Sequence, residues 1–299
     1  MPSNTDRHPV TFSSGGDTCV GDLTRPAGED KPPVVVMAHG FGAQRDFGLT
    51  PYVDRFVENG FAVYRFDYRG FGDSNGPHQL VDPREHRADW LAAIDAVRDR
   101  TDVDTERIAL WGTSFSGGHV IEAAARRDVQ AVVAQIPFVD GLATVRSLRR
   151  ESGIGYVLRA GVHGVYDTLR GVVGADPHRI RIVAAPRDFA LLNTPGAWAG
   201  YWEIVPEDTD WENACPARIG LQVLRYRPRR RANDVDCPVF LGIATEDRLC
   251  PPRATARLAA ALEDATVVRI EAGHFDVYSG PAFERLVTEE VDFLRATLS

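Results

Sequence analysis

Residues 110–119 read LWGTSFSGGH, and the reading of this stretch decides the fold. The apolar run at 108–111 has the character of a buried strand, and SGGHVIEAAAR that of a helix. Between them stand small residues and two serines, Ser114 and Ser116. A strand that turns sharply into a helix at a serine exposes the hydroxyl and aims the helix's first N–H groups at a reacting carbonyl. Such a turn needs small residues two places before and after the serine. For Ser114 these are Gly112 and Ser116; for Ser116 they are Ser114 and Gly118. The apolar run ends one residue before Gly112, which centres the turn on Ser114 and leaves Ser116 inside the helix. Ser116 is the alternative nucleophile. A helix cap without chemistry is the plainer reading of the ten residues taken alone.

Outward from this elbow the chain alternates. PPVVVMAHG (32–40) is a continuous apolar run ending in a glycine turn, as expected of a strand buried on both faces. TPYVDRFVE (50–58) predicts a helix and FAVYRFDYRG (61–70) a strand. Residues 83–99 predict a helix, with Pro83 in the first turn and Trp90, Leu91, Ile94 and Val97 in one stripe. Two short strands, 9–13 and 17–24, precede them. VQAVVAQIP (129–137) predicts a strand. After 236 the rhythm resumes with a strand at 237–244, a helix at 252–262, a strand at 265–270 and a helix at 281–297. Repeated β–α units imply an α/β fold, a mostly parallel central sheet with helices on both faces.

Between 138 and 236 the rhythm breaks. A helix is expected at 155–172, a strand at 179–184 and another helix within ENACPARIGLQVLRYRP (212–228). The segment is too long for a loop. It reads as a cap inserted into a core made of 1–137 and 237–299; the alternative is that it extends the core.

A serine hydroxyl needs a base and oxyanion donors to react. In such sheets the catalytic groups sit beyond the C-terminal ends of the strands. His274 follows the strand at 265–270 on a glycine turn, and Asp247 lies in the loop after 237–244. His274 is then the base, and Asp247 the acid that orients it. Asp140, just after the strand at 129–137, is the rival acid; Asp276 lies too near His274 to reach around it. The AHGFG turn (38–42) offers the Phe41 amide as one oxyanion donor, and the residue after the nucleophile, Phe115, offers the other. His39 reads as a brace for this turn.

The pieces VVVMAHGFG, YRFDYRGFGDSNG (64–76), LWGTSFSGG, ATEDRLCPP and EAGHFDVY together resemble the α/β-hydrolase superfamily over nearly the whole core. The chain looks closest to the branch of serine aminopeptidase-like, X-Pro dipeptidyl-peptidase-like and polyketide-transferase-like proteins. One departure is Ser116, which stands where the superfamily usually has the second glycine of the elbow. The resemblance implies cleavage of an ester, thioester or amide through an acyl-enzyme, with no metal or organic cofactor.

The 299 residues carry a formal net charge of −8. The one basic cluster, RPRRR (227–231), reads as an exposed loop and not as a nucleic-acid footprint. No apolar run approaches the ~20 residues of a membrane span. The polar N-terminus lacks a signal-peptide pattern, so a cytoplasmic location is expected. The four cysteines form no CxxC pair and read as buried thiols. The expected partner is a small molecule, an ester with an apolar portion; self-association is compatible with the sequence. Trp198, Tyr201 and Trp202, in GAWAGYW (196–202), are candidates to line an acyl pocket, or they pack the cap on the core. A carboxylic ester hydrolase is the first expectation. A peptidase, thioesterase or acyltransferase with the same residues is the second, and a non-catalytic binder on this scaffold the third.

Overall fold

The computed structural model describes residues 6–298. Its core elements are β1 (Asp6–Ser14), β2 (Asp17–Arg25), β3 (Pro33–Ala38), α1 (Thr50–Glu58), β4 (Ala62–Phe66), α2 (Pro83–Arg98), β5 (Asp104–Thr113), α3 (Phe115–Ala124) and β6 (Ala131–Gln135). Then follow α4 (Gly141–Val172), β7 (Arg179–Ile180), α5 (Ala197–Ile204), β8 (Cys215–Pro216) and α6 (Ile219–Gln222). The chain closes with β9 (Val239–Ala244), α7 (Pro252–Ala259), β10 (Ala265–Ile270) and α8 (Gly280–Leu298).

Eight strands form one sheet in the order β1-β2-β4-β3-β5-β6-β9-β10. The β1–β2 and β2–β4 pairs are antiparallel, and the rest are parallel. The continuous apolar runs have a simple cause: β4, β6 and β9 are buried at every position. Alternate residues serve opposite faces. Val34, Val36 and Ala38 join Trp90 and Ile94 of α2, Val120 of α3 and Leu258 of α7 in one core. Val35 and Met37 join Tyr52 and Phe56 of α1 and Leu286 and Leu294 of α8 in the other.

Strand β6 pairs directly with β9, so 136–238 leaves the sheet and returns to the neighbouring strand. Here the expectations needed revision. The helix expected at 155–172 is the second part of α4, which starts at Gly141 and breaks at Gly153 (φ 83°, ψ 167°). Its first part was hidden by an arginine-rich sequence; the start signal is Asp140, whose side chain accepts from the amides of Leu142 and Ala143. The strand expected at 179–184 is only two residues long. The helix expected within 212–228 shrinks to α6, because Cys215–Pro216 is drawn into extended pairing with Arg179–Ile180. The RPRRR cluster is tied down: Arg227 and Arg229 both pair with Asp140. Among the described residues, no helix is long and apolar enough to cross a membrane.

One buried carboxyl gives a stability prediction. Glu290 is fully buried on α8, accepting one bond from Trp111 Nε1 (2.9 Å) while its second oxygen has no partner. Burial pushes it up from an ordinary 4.5 to about 8, despite the bond from Trp111. It stays neutral when folded but ionises above its ordinary value when unfolded. Its contribution is therefore full below pH 4.5 and is lost as pH rises to about 8. Glu290→Gln should raise the melting temperature relative to wild type more at pH 8 than at pH 5. An equal change at both pH values would contradict a neutral Glu290.

Candidate active site

The elbow forms where the strand ends. Ser114, between β5 and α3, has φ 54° and ψ −117°, a backbone conformation rare for a residue with a side chain. It is held by its neighbours: its amide donates to Gln135 O, and its carbonyl accepts from Gly117 and Phe138. A Cβ on Gly112 would stand 2.5 Å from the Ser116 carbonyl oxygen, which is why glycine precedes the turn. Ser116 is fully buried in α3 and shares a 2.9 Å hydrogen bond with Tyr68 Oη, which also accepts from Trp90 Nε1. The hydroxyl at the usual glycine position is therefore engaged away from the site.

Ser114, His274 and Asp247 meet although they lie far apart in the chain. His274 Nε2 is 3.0 Å from Ser114 Oγ, and its Nδ1 is 2.7 Å from Asp247 Oδ2. The other Asp247 oxygen accepts the amides of Leu249 (2.7 Å) and Cys250 (2.8 Å), which fixes the carboxylate. All three residues are buried to within a few per cent of their surface. Asp276 accepts from the Gly273 amide at 2.6 Å and braces the turn that carries His274. Asp140 is elsewhere engaged, as the cap of α4 and the partner of Arg227 and Arg229. Burial would raise its carboxyl, but the bonds from Arg229 and Arg227 outweigh that and hold it below its ordinary value.

The Phe41 turn passes close against the serine: a Cβ on Gly40 would lie 3.3 Å from Ser114 Cβ. Phe115 is the first residue of α3, so its amide has no acceptor within the helix. The Phe41 and Phe115 rings meet edge to face at 5.3 Å. His39 Nδ1 donates to the Gly40 carbonyl (3.1 Å), and burial pushes the imidazole down to about 3. It is neutral at neutral pH and braces the loop, as its position in the sequence implied.

Two residues from the inserted segment hold the same turn from outside. Tyr201 Oη donates to the Phe41 carbonyl (3.0 Å), and Trp211 Nε1 to the Gly42 carbonyl (2.6 Å). Trp211 was not singled out in the sequence, where nothing ties it to a turn 169 residues earlier. Two cavities reach Ser114. One, about 20 Å³, is lined by Gly40, Phe41, Tyr201, His274 and Phe275. The other, about 150 Å³ and mainly apolar, is walled by Leu148, Tyr156, Val157, Ala160, Leu221 and Cys250. Of the three aromatics of GAWAGYW, only Tyr201 lines either cavity. Trp198 and Trp202 lie one turn apart on the other side of α5, 5.5 Å from each other and each 41% exposed. The apolar cavity beside Ser114 is instead walled by α4, α6 and the stretches 190–194 and 248–250. A third, wider groove on the His274 side carries Thr194, Glu203, Glu246, Arg248 and Asp276.

Asp247, Cys250 and His274 each bring one potential ligand atom within 4.8 Å of the others. They fit a metal poorly. Both Asp247 oxygens are occupied by hydrogen bonds, and burial pushes the Cys250 thiol well up, which keeps it protonated. The Cys250 sulfur lies 3.9 Å from Ser114 Oγ and forms part of the apolar wall.

The chain is 36% identical over 288 residues to the quorum-quenching protein AidA of Acinetobacter baumannii, covering 96% of this chain and 93% of the relative. Its fold matches the structure of DcsB in complex with a substrate analogue, at TM-score 0.84 and 21% identity, over 98% of this chain and all of the other. It also matches GrgF from a Penicillium species, at TM-score 0.78 and 23% identity, over 98% of this chain and 99% of the other. The model of the alpha/beta hydrolase family matches residues 35–285, which take in the parallel part of the sheet from β3 to β10 and both flanks of the elbow, and the chain belongs to that family.

Proposed function

We propose that the chain is a serine hydrolase that cleaves a carboxylic ester through an acyl-enzyme on Ser114. The observation that carries this reading is the unbroken line Ser114 Oγ–His274 Nε2 (3.0 Å) and His274 Nδ1–Asp247 Oδ2 (2.7 Å), built on a strained elbow. His274 takes the Ser114 proton as Oγ attacks the carbonyl carbon. Asp247 holds the imidazole in the required tautomer and stabilises its charged form. The amides of Phe41 and Phe115 receive the oxyanion. As the tetrahedral species collapses, His274 Nε2 returns the proton to the departing oxygen. Water then attacks the acyl carbon and loses a proton to His274, which returns it to Ser114 Oγ as the bond to the acyl carbon breaks and the acid is released.

The general acid has to reach the leaving atom, so the alcohol leaves on the His274 side. That side opens to the polar groove with Glu203, Glu246 and Arg248. The acyl chain then occupies the apolar cavity beneath α4, and the segment 138–236 acts as a cap over a core of 1–137 and 237–299. The quorum-quenching activity named for the relative from Acinetobacter baumannii, and the apolar lining of the cavity, support a small-molecule substrate with an apolar acyl part.

A series of p-nitrophenyl esters tests this. Ala160→Phe, which narrows the cavity, should lower kcat/KM for the octanoate at least ~10-fold and leave the acetate within ~2-fold. Equal loss for both would place the acyl chain elsewhere. An absence of turnover for every ester, with turnover of thioesters or aminoacyl amides, would replace the substrate class while keeping the same residues.

A further inference from the structure

Eight of the large apolar side chains that the structure leaves exposed belong to one stretch, the second part of α4 and the residue after it. They include Ile154, Leu158, Val162, Val165, Leu169 and Val172, between 49% and 80% exposed. Their spacing is 4, 4, 3, 4 and 3, which at 3.6 residues per turn confines all six to an arc of about 80° on one face. From Leu158 onward the spacing alternates 4, 3, 4, 3, the heptad rhythm of a seam between two helices, narrower than the stripe of a helix packed on a globular core. The opposite face is already used. Ala160 and Val157 wall the apolar cavity, Gly164 packs on Leu221, and Asp167 is buried against Arg218.

We infer that this stripe is the contact between two copies of the chain, with the second parts of their α4 helices packed antiparallel about a two-fold axis near Val162 and Val165. The area is sufficient. The six side chains of the stripe expose roughly 650 Å² per copy, above the ~300–600 Å² of the largest patch on a typical monomer and most of the ~800 Å² per partner of a standard interface. The heptad rhythm calls for a partner helix with the same rhythm. A two-fold axis supplies one without any further chain and makes the contact self-complementary. The stripe carries no charge, so no like charges oppose each other across the axis. On the second part of α4 the cations are held on the protein: Arg159 stacks over Phe189 at 4.3 Å, and Arg170 lies over Tyr166 and donates to the Asp176 carbonyl. The exposed Arg146, Arg149 and Arg150 belong to the first part of α4, before the break at Gly153, and not to the helix that carries the stripe, where an interfacial helix has the basic residues that meet anionic lipid.

Sedimentation velocity of the full chain tests this inference. At ~50 µM wild type should sediment with twice the chain mass. Leu158→Glu combined with Leu169→Glu should weaken self-association at least ~100-fold with circular dichroism unchanged, since both side chains are exposed in the single chain. Val165→Cys, close to the axis, should form a disulfide-linked dimer on mild oxidation, while Val157→Cys, on the inner face, should not. A single-chain mass for wild type at that concentration would overturn the inference. So would a dimer that survives the double glutamate substitution. Wild type that is monomeric but floats with phosphatidylcholine–phosphatidylglycerol vesicles would overturn it too and assign the stripe to a lipid surface.

Discussion

Ser114→Ala and His274→Ala should each lower the turnover of short-chain p-nitrophenyl esters by at least ~1,000-fold, and the double variant should be little worse than either. The reason is geometric. Oγ and Nε2 share one 3.0 Å hydrogen bond, so removing either partner removes the same proton transfer. Non-additivity is the sharper part of the expectation, because two independent contributors would multiply. Neither substitution should unfold the chain. Ser114→Ala keeps the Cβ that the strained backbone already accommodates, and melting temperatures close to wild type would separate loss of chemistry from loss of fold. Ser116→Ala serves as the contrast. It loses a buried bond to Tyr68 Oη and leaves that hydroxyl with Trp90 alone, so it should reduce stability more than turnover.

The second large effect separates two aspartates. Asp247→Asn should lower turnover by ~1,000-fold or more, because an amide at Oδ2 can present N–H to His274 Nδ1 and favour the wrong tautomer. Asp140→Asn should leave turnover near wild type. Asparagine still caps α4, but Arg227 and Arg229 lose their shared counter-charge, and stability should drop by about 1–3 kcal/mol, read by denaturant titration. The reverse pattern, with Asp140→Asn inactive and Asp247→Asn active, would move the acid to the strand before the inserted segment.

These residues were legible in the sequence to different degrees, for physical reasons. The sheet was readable because β3, β4, β6, β9 and the second half of β5 are buried on both faces, and continuous apolar runs with few turn residues have few other uses. The elbow was readable because steric crowding at Gly112, Gly117 and Gly118 leaves a run of small residues that no ordinary helix start requires. Ser114, Asp247 and His274 stood out because each follows a strand. The inserted segment was less legible. It has no strand rhythm, and its packing depends on contacts between distant parts of the chain, such as Asp167 with Arg218 and Tyr201 with the Phe41 carbonyl. Trp198 and Trp202 were expected to face substrate because aromatic residues are common in pockets; the phase of α5 turns them outward and only Tyr201 inward. Cys250 and Trp211 gave no signal at all. One is a buried thiol like two others, and the other reaches its carbonyl only once the fold is closed.

The central claim is that Ser114 is the nucleophile. Incubation of the full chain with a fluorophosphonate probe, followed by digestion and mass spectrometry of the labelled peptide, addresses it most directly. The probe's phosphorus should be bonded to Ser114 Oγ, with labelling abolished in Ser114→Ala and strongly slowed in His274→Ala. An adduct on Ser116, or no adduct on the folded wild-type chain, would contradict it.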